Sequence, residues 1–118
     1  MSDSITPDGG QPIAALVVTV SVDVDPGRGT VRVEGELDIA TVDRLTKVLE
    51  DQLARGCRHV ALDVSALRFC GATGLGAVIA ARRRYRAAGG DLVVTGASGR
   101  MLRLLQATGL EDLQAPDV

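Results

Sequence analysis

Two stretches of this chain alternate apolar and polar residues with a period of two, and this pattern narrows the possible folds more than any other feature. Within Ala14–Val24, Val18, Val20, Val22 and Val24 fall on one side, against Thr19, Ser21 and Asp23. Within Thr30–Leu37, Val31 and Val33 oppose Arg32 and Glu34. A period of two sends successive side chains to opposite faces of an extended strand, so each stretch predicts a strand with one buried face. Between them, Asp25-Pro26-Gly27-Arg28-Gly29 is a turn sequence, longer than a two-residue hairpin loop. The pair predicts an antiparallel hairpin. Residues 1–12 (MSDSITPDGGQP) are polar, unpatterned and rich in Gly and Pro, and they read as a loose tail before one domain over 13–118.

The period then changes. Val42, Leu45, Val48, Leu49 and Leu53 recur at helical spacing, with Asp43, Arg44, Lys47, Glu50 and Asp51 opposite. Thr41 stands where an N-cap is expected and Gly56 where a helix stops. Val60, Leu62 and Val64 predict a short third strand, and Leu67–Gly74 a connecting loop. A second helix is expected from Leu75 to Ala88, ended by Gly89-Gly90. Its Leu75, Val78 and Ile79 should face the sheet, with Ala77, Ala80 and Ala81 more exposed. Leu92–Thr95 predicts a fourth strand, Ser98–Thr108 a third helix capped by Ser98 and stopped at Gly109, and the last residues a short tail or edge strand. The order is ββαβαβα. Two late βα units imply parallel strands joined by right-handed crossovers. The expected architecture is α/β: a single mixed sheet of four to five strands with helices packed mainly on one face.

Composition removes several classes of function. The chain has 118 residues, enough for one self-supporting core. Thirteen Lys plus Arg against fifteen Asp plus Glu leave a net charge of −2, so no overall basic footprint exists for nucleic acid. One Phe, one Tyr and no Trp leave no aromatic platform for stacking bases. No apolar run is long enough to span a membrane, and residues 1–12 lack the basic and apolar regions of a secretion signal, which points to the cytoplasm. His59 is the only histidine, so any Ser–His or Cys–His catalytic arrangement would rest on it alone. It opens the apolar run His59–Val64 and reads as a strand-edge side chain. The chain is expected not to be an enzyme, with no cofactor and no metal site.

Three local features remain. In Asp63–Val78 a strand leads through Gly71-Ala72-Thr73-Gly74-Leu75-Gly76 into a helix, whose free N–H groups favour an anion. The glycine spacing is neither that of a dinucleotide-binding turn nor that of a phosphate-binding loop. Arg82-Arg83-Arg84-Tyr85-Arg86 looks like a nucleic-acid patch, but only Arg82 and Arg86 share a helix face, which favours a solvated helix end. Cys57 and Cys70 flank the third strand. Six strand residues would hold them roughly 20 Å apart, whereas a disulfide tolerates at most about 7 Å between Cα atoms.

Taken together, the ββαβαβα order, Gly35-Glu36-Leu37-Asp38 before the first helix and Phe69-Cys70-Gly71-Ala72-Thr73-Gly74-Leu75-Gly76 before the second resemble a STAS domain. The stand-alone bacterial anti-sigma factor antagonist is the most similar type, and Thr108-Gly109-Leu110 also fits. The resemblance spans about residues 14–113. It implies a protein that binds an anti-sigma factor serine/threonine kinase and thereby frees a sigma factor. Phosphorylation at the start of the second helix ends that binding. The family loop usually reads Asp-Ser-Ser-Gly-Leu-Gly or Asp-Ser-Thr-Gly-Leu-Gly. Gly71 stands at the Asp position, Ala72 at the first Ser and Thr73 at the acceptor. The resemblance thus implies Thr73 as phosphorylation site and Asp38, Gly71, Ala72, Thr73, Gly74 and Ala77 as partner-binding residues. It also implies a monomer or weak dimer, without direct nucleic-acid or membrane contact, and leaves room for a phosphatase. A STAS scaffold or small-ligand or nucleotide sensor without phosphorylation is the alternative.

Overall fold

The predicted hairpin forms the edge of the sheet. In the computed structural model, which describes residues 16–22, 27–107 and 111–113, β1 (Leu16–Val22) pairs antiparallel with β2 (Arg28–Leu37), Val18 opposite Val33 and Val20 opposite Val31. The expected tail, the turn residues Asp25 and Pro26 and the Thr108-Gly109-Leu110 ending lie outside the described residues. Next come α1 (Val42–Ala54), β3 (His59–Cys70), α2 (Ala72–Ala87), β4 (Asp91–Thr95) and α3 (Gly99–Ala107). The four strands stand in the order β1-β2-β3-β4, with β2, β3 and β4 parallel. The sheet is mixed and the element order is the expected one.

One face of the sheet carries the core. Val31, Val33 and Leu37 of β2, Val60, Leu62 and Val64 of β3, and Leu92 and Val94 of β4 are all buried. Against them pack Leu45 and Leu49 of α1 and Leu75, Val78 and Tyr85 of α2. The alternate positions Arg32, Glu34 and Ser65 are exposed, as a strand covered on one side requires. Tyr85, buried to 1%, donates its hydroxyl to the carbonyl of Leu49 at 2.6 Å and ties the two helices together.

Several boundaries differ from expectation. The segment Leu67–Cys70, expected in a loop, continues β3, because β2 runs beside it and supplies partners: Gly35 for Leu67, Glu36 for Phe69 and Leu37 for Cys70. Two register shifts along this stretch disturb the alternation that would have marked it as a strand. Only Gly71 separates β3 from α2, so the helix starts at Ala72, not Leu75. Ala81 is buried, not exposed, because it lies on one helix face with Val78 and Tyr85. The chain end holds a single turn of 3-10 helix, Glu111–Leu113, whose Leu113 is buried in the core.

Three of the four arginines in the run are engaged in ion pairs. Arg82 and Arg86 both donate to Asp91 Oδ1 at 3.1 Å, and Arg84 reaches Glu50 on α1 at 2.6 Å. Partial burial of Asp91 opposes ionisation, but these guanidinium bonds and the Leu92 N–H outweigh it and hold the carboxyl below the ordinary range. Cys57 lies two residues before β3 and Cys70 is its last residue, and neither is in a disulfide.

Candidate functional site

The first two strand-to-helix turns, β2 to α1 and β3 to α2, lie at one end of the sheet. β2 and β3 are parallel and reach it together, with Leu37 opposite Cys70. The Gly71 N–H donates to the Leu37 carbonyl at 3.1 Å, which binds the second turn to the first. Gly74 explains how closely they approach. A Cβ there would stand 2.7 Å from Leu37 Cγ and 3.1 Å from its carbonyl oxygen, so any side chain would push the turns apart.

Asp38 opens the first turn. Its Oδ1 accepts the Ala40 N–H at 2.9 Å, and its carbonyl accepts the N–H groups of Thr41 and Val42 at 3.1 and 2.9 Å. The Asp38 side chain thus closes a tight turn just ahead of α1, and the Thr41 side chain, expected to cap the helix, makes no cap bond. Thr41 is instead buried to 3%; its hydroxyl donates to the Glu36 carbonyl at 2.8 Å and accepts the Asp38 N–H at 3.0 Å. These bonds leave Ile39 at the tip of the turn, 79% exposed.

The second turn is bare by comparison. Gly71 occupies the N-cap position of α2 and provides no side-chain bond, and no acidic residue stands in the first helical turn. Thr73 is the second residue of the helix, not its cap, and it is exposed, as is Ala72. Gly74 is buried beneath them and Ala77 half-buried one turn on. Phe69, 45% exposed, stands just before this turn, its ring 3.3 Å from where a Gly71 Cβ would be. The structure thus brings Asp38, Gly71, Ala72, Thr73 and Gly74 to one end of the sheet. It adds two large apolar side chains, Ile39 and Phe69, that periodicity could not single out, because neither belongs to a regular alternation. Among the described residues, no three metal-ligating side chains converge.

A four-stranded mixed sheet with this element order and two such turns is the architecture of a known class of regulatory domain. The STAS domain family matches residues 19–116, and the chain belongs to it. An anti-sigma-B factor antagonist of Staphylococcus aureus is 34% identical over 83 residues, which is 70% of this chain and 77% of that protein. Among solved structures, an anti-sigma factor antagonist from Mycobacterium paratuberculosis superposes with a TM-score of 0.73 at 26% identity, covering 85% of this chain and 83% of that one. The unphosphorylated form of the anti-sigma factor antagonist SpoIIAA shares the fold, with a TM-score of 0.73 at 19% identity over 86% of this chain and 89% of its own. These relatives are regulators rather than enzymes. No helix among the described residues is long and apolar enough to cross a membrane.

Proposed function

We propose that this chain is an anti-sigma factor antagonist that docks the end of its sheet onto an anti-sigma factor kinase and is released by phosphorylation of Thr73. The observation that carries this reading is the meeting of the two turns. Asp38, Gly71, Ala72 and Thr73 stand at that one end of the sheet, with the buried Gly74 beneath them and Ala77 one turn along α2. Ile39 and Phe69 give that surface apolar anchors, the side chains that most often dominate binding energy when a partner buries them. The names of the relatives support the antagonist role; the kinase and the modification are the proposal's own.

The chemistry of the switch follows from position. Phosphorylation of the Thr73 hydroxyl would add about −1.5 to −2 charges and three acceptor oxygens. At the start of a helix this charge meets unbonded N–H groups and the positive end of the dipole, so the domain stays folded. Buried against a partner, an uncompensated charge costs several kcal/mol, and about 2.7 kcal/mol already corresponds to a hundredfold loss of affinity. Incubation with the cognate kinase and ATP, followed by mass spectrometry and calorimetric titration, tests both parts. The expected result is one phosphate on Thr73 and affinity weakened by at least about a hundredfold. Tight binding without any phosphate on Thr73 would leave an antagonist that is always active, and no binding at all would overturn the role itself.

A further inference from the structure

Among the described residues, the C-terminal half of β3 has a partner strand on one side only. β4 pairs with β3 from His59 to Asp63 and ends, whereas β3 continues to Cys70 beside β2. α3 stands across the gap, and the space between them is a groove of about 570 Å³. Sites for small molecules typically measure about 300–1,000 Å³. Val64 and Leu67 of the strand and Met101 and Leu104 of the helix provide apolar walls. Among the described residues, the charged side chains lining it are Arg68, Arg100 and Arg103, and no carboxylate lines it. Arg68 reaches Glu36 only at 3.9 Å. Arg100 and Arg103 pair with no carboxylate among the described residues.

Apolar walls with an unneutralised basic rim fit an occupant that is apolar along its length and negative at one end. An acidic extended peptide and a linear amphiphile both meet that description, and the backbone decides between them. A peptide added as a strand needs a regular edge to pair with. β3 is irregular twice in this stretch, opposite Arg32–Glu34 and Gly35–Glu36, and bulges of this kind twist an edge away from strand addition. An alkyl chain needs no ladder. The unbranched thioether of Met101 can also adjust to its path.

We propose that the groove between β3 and α3 binds a linear anionic amphiphile of the long-chain carboxylate class. Its alkyl chain lies along Leu67, Met101 and Leu104, and its head group meets the guanidinium groups of Arg100 and Arg103, whose planar forks match a carboxylate. The inference does not rest on anti-sigma factor binding: none of these five side chains belongs to the Thr73 surface, although Phe69, an anchor of that surface, also lines the groove.

The test titrates the full chain with a dansyl-labelled undecanoic acid below its micelle concentration, then displaces the probe with dodecanoate or dodecanol. Saturable one-to-one binding is expected, with dodecanol competing at least about tenfold more weakly than dodecanoate. The double variant Arg100→Gln/Arg103→Gln changes only exposed side chains. It should weaken dodecanoate by about tenfold or more and leave dodecanol unchanged. Failure to saturate, equal competition by the alcohol, or an unaffected double variant would each overturn the proposal. Amide shifts on dodecanoate binding should map to Val64–Cys70 and α3, and shifts elsewhere would also overturn it. So would a concentration-dependent dimer abolished by Arg100→Glu/Arg103→Glu, which would make a second copy of the chain the occupant.

Discussion

Between Leu37 and Val42 the chain spends four residues on its turn; between Cys70 and Ala72 it spends one. The longer turn is closed on itself. Thr41 and Asp38 accept and donate within it, and the large apolar side chain of Ile39 is presented outward. The shorter turn holds itself to the first through the Gly71 N–H and the close approach of Gly74, and leaves the start of α2 without a side-chain cap. One turn is a rigid support and the other an uncommitted helix end resting on it. The modification proposed for Thr73 would fall on the second kind. Replacing that hydroxyl disturbs no internal bond, and a charge placed there meets waiting donors.

Substitutions can break that contrast. The largest effect should come from Gly74→Val, which forces the two turns apart at Leu37. It should cost about 3 kcal/mol in urea unfolding, and a variant as stable as the parent would mean that the turns are not held in contact. Thr41→Val keeps the shape of a buried side chain but strands the Asp38 N–H and the Glu36 carbonyl. A loss of about 2 kcal/mol by the same measurement is expected. Asp38→Ala removes the acceptor for the Ala40 N–H and should lower stability by about 1 kcal/mol. Thr73 should mark the other end of the scale. Thr73→Ala should stay within about 0.5 kcal/mol of the parent, because no cap bond is lost. Thr73→Glu should gain about 0.3–1 kcal/mol at low salt and lose the gain as salt is raised, the signature of a charge at a helix start. A Thr73→Ala cost as large as that of Thr41→Val would erase the distinction between the two turns.

The strand hairpin, the three helices and their order are legible because each element keeps one hydrophobic period from end to end, as Val31 to Leu37 and Val42 to Leu53 do. The extension of β3 to Cys70 is not. Its two irregularities move Leu67 and Phe69 off the alternation set by Val60, Leu62 and Val64, and only pairing with β2 makes the segment a strand. The same gap hid the true start of α2, so that Thr73, expected in the loop, is the second residue of the helix. At the site, the motif residues can be located by resemblance, but the Asp38 bond to the Ala40 N–H and Thr41 as an internal staple depend on hydrogen bonds that spacing does not encode. The groove beside α3 depends on where β4 stops relative to β3, a relation between two strands that neither one's own residues express.

Tyr85 has a practical consequence. It is the chain's one tyrosine, there is no tryptophan, and its hydroxyl is locked between the two helices. Burial, reinforced by the nearby Cys57, raises its pKa well above the ordinary phenol value. The phenol thus stays neutral in the folded state after an unfolded chain would have released its proton. Its contribution to stability is complete below about pH 10 and drains away as the solution becomes more alkaline. Phenolate absorbance in this protein therefore reports a single event, the parting of α1 from α2, and the molecule carries its own optical gauge of core opening without any label.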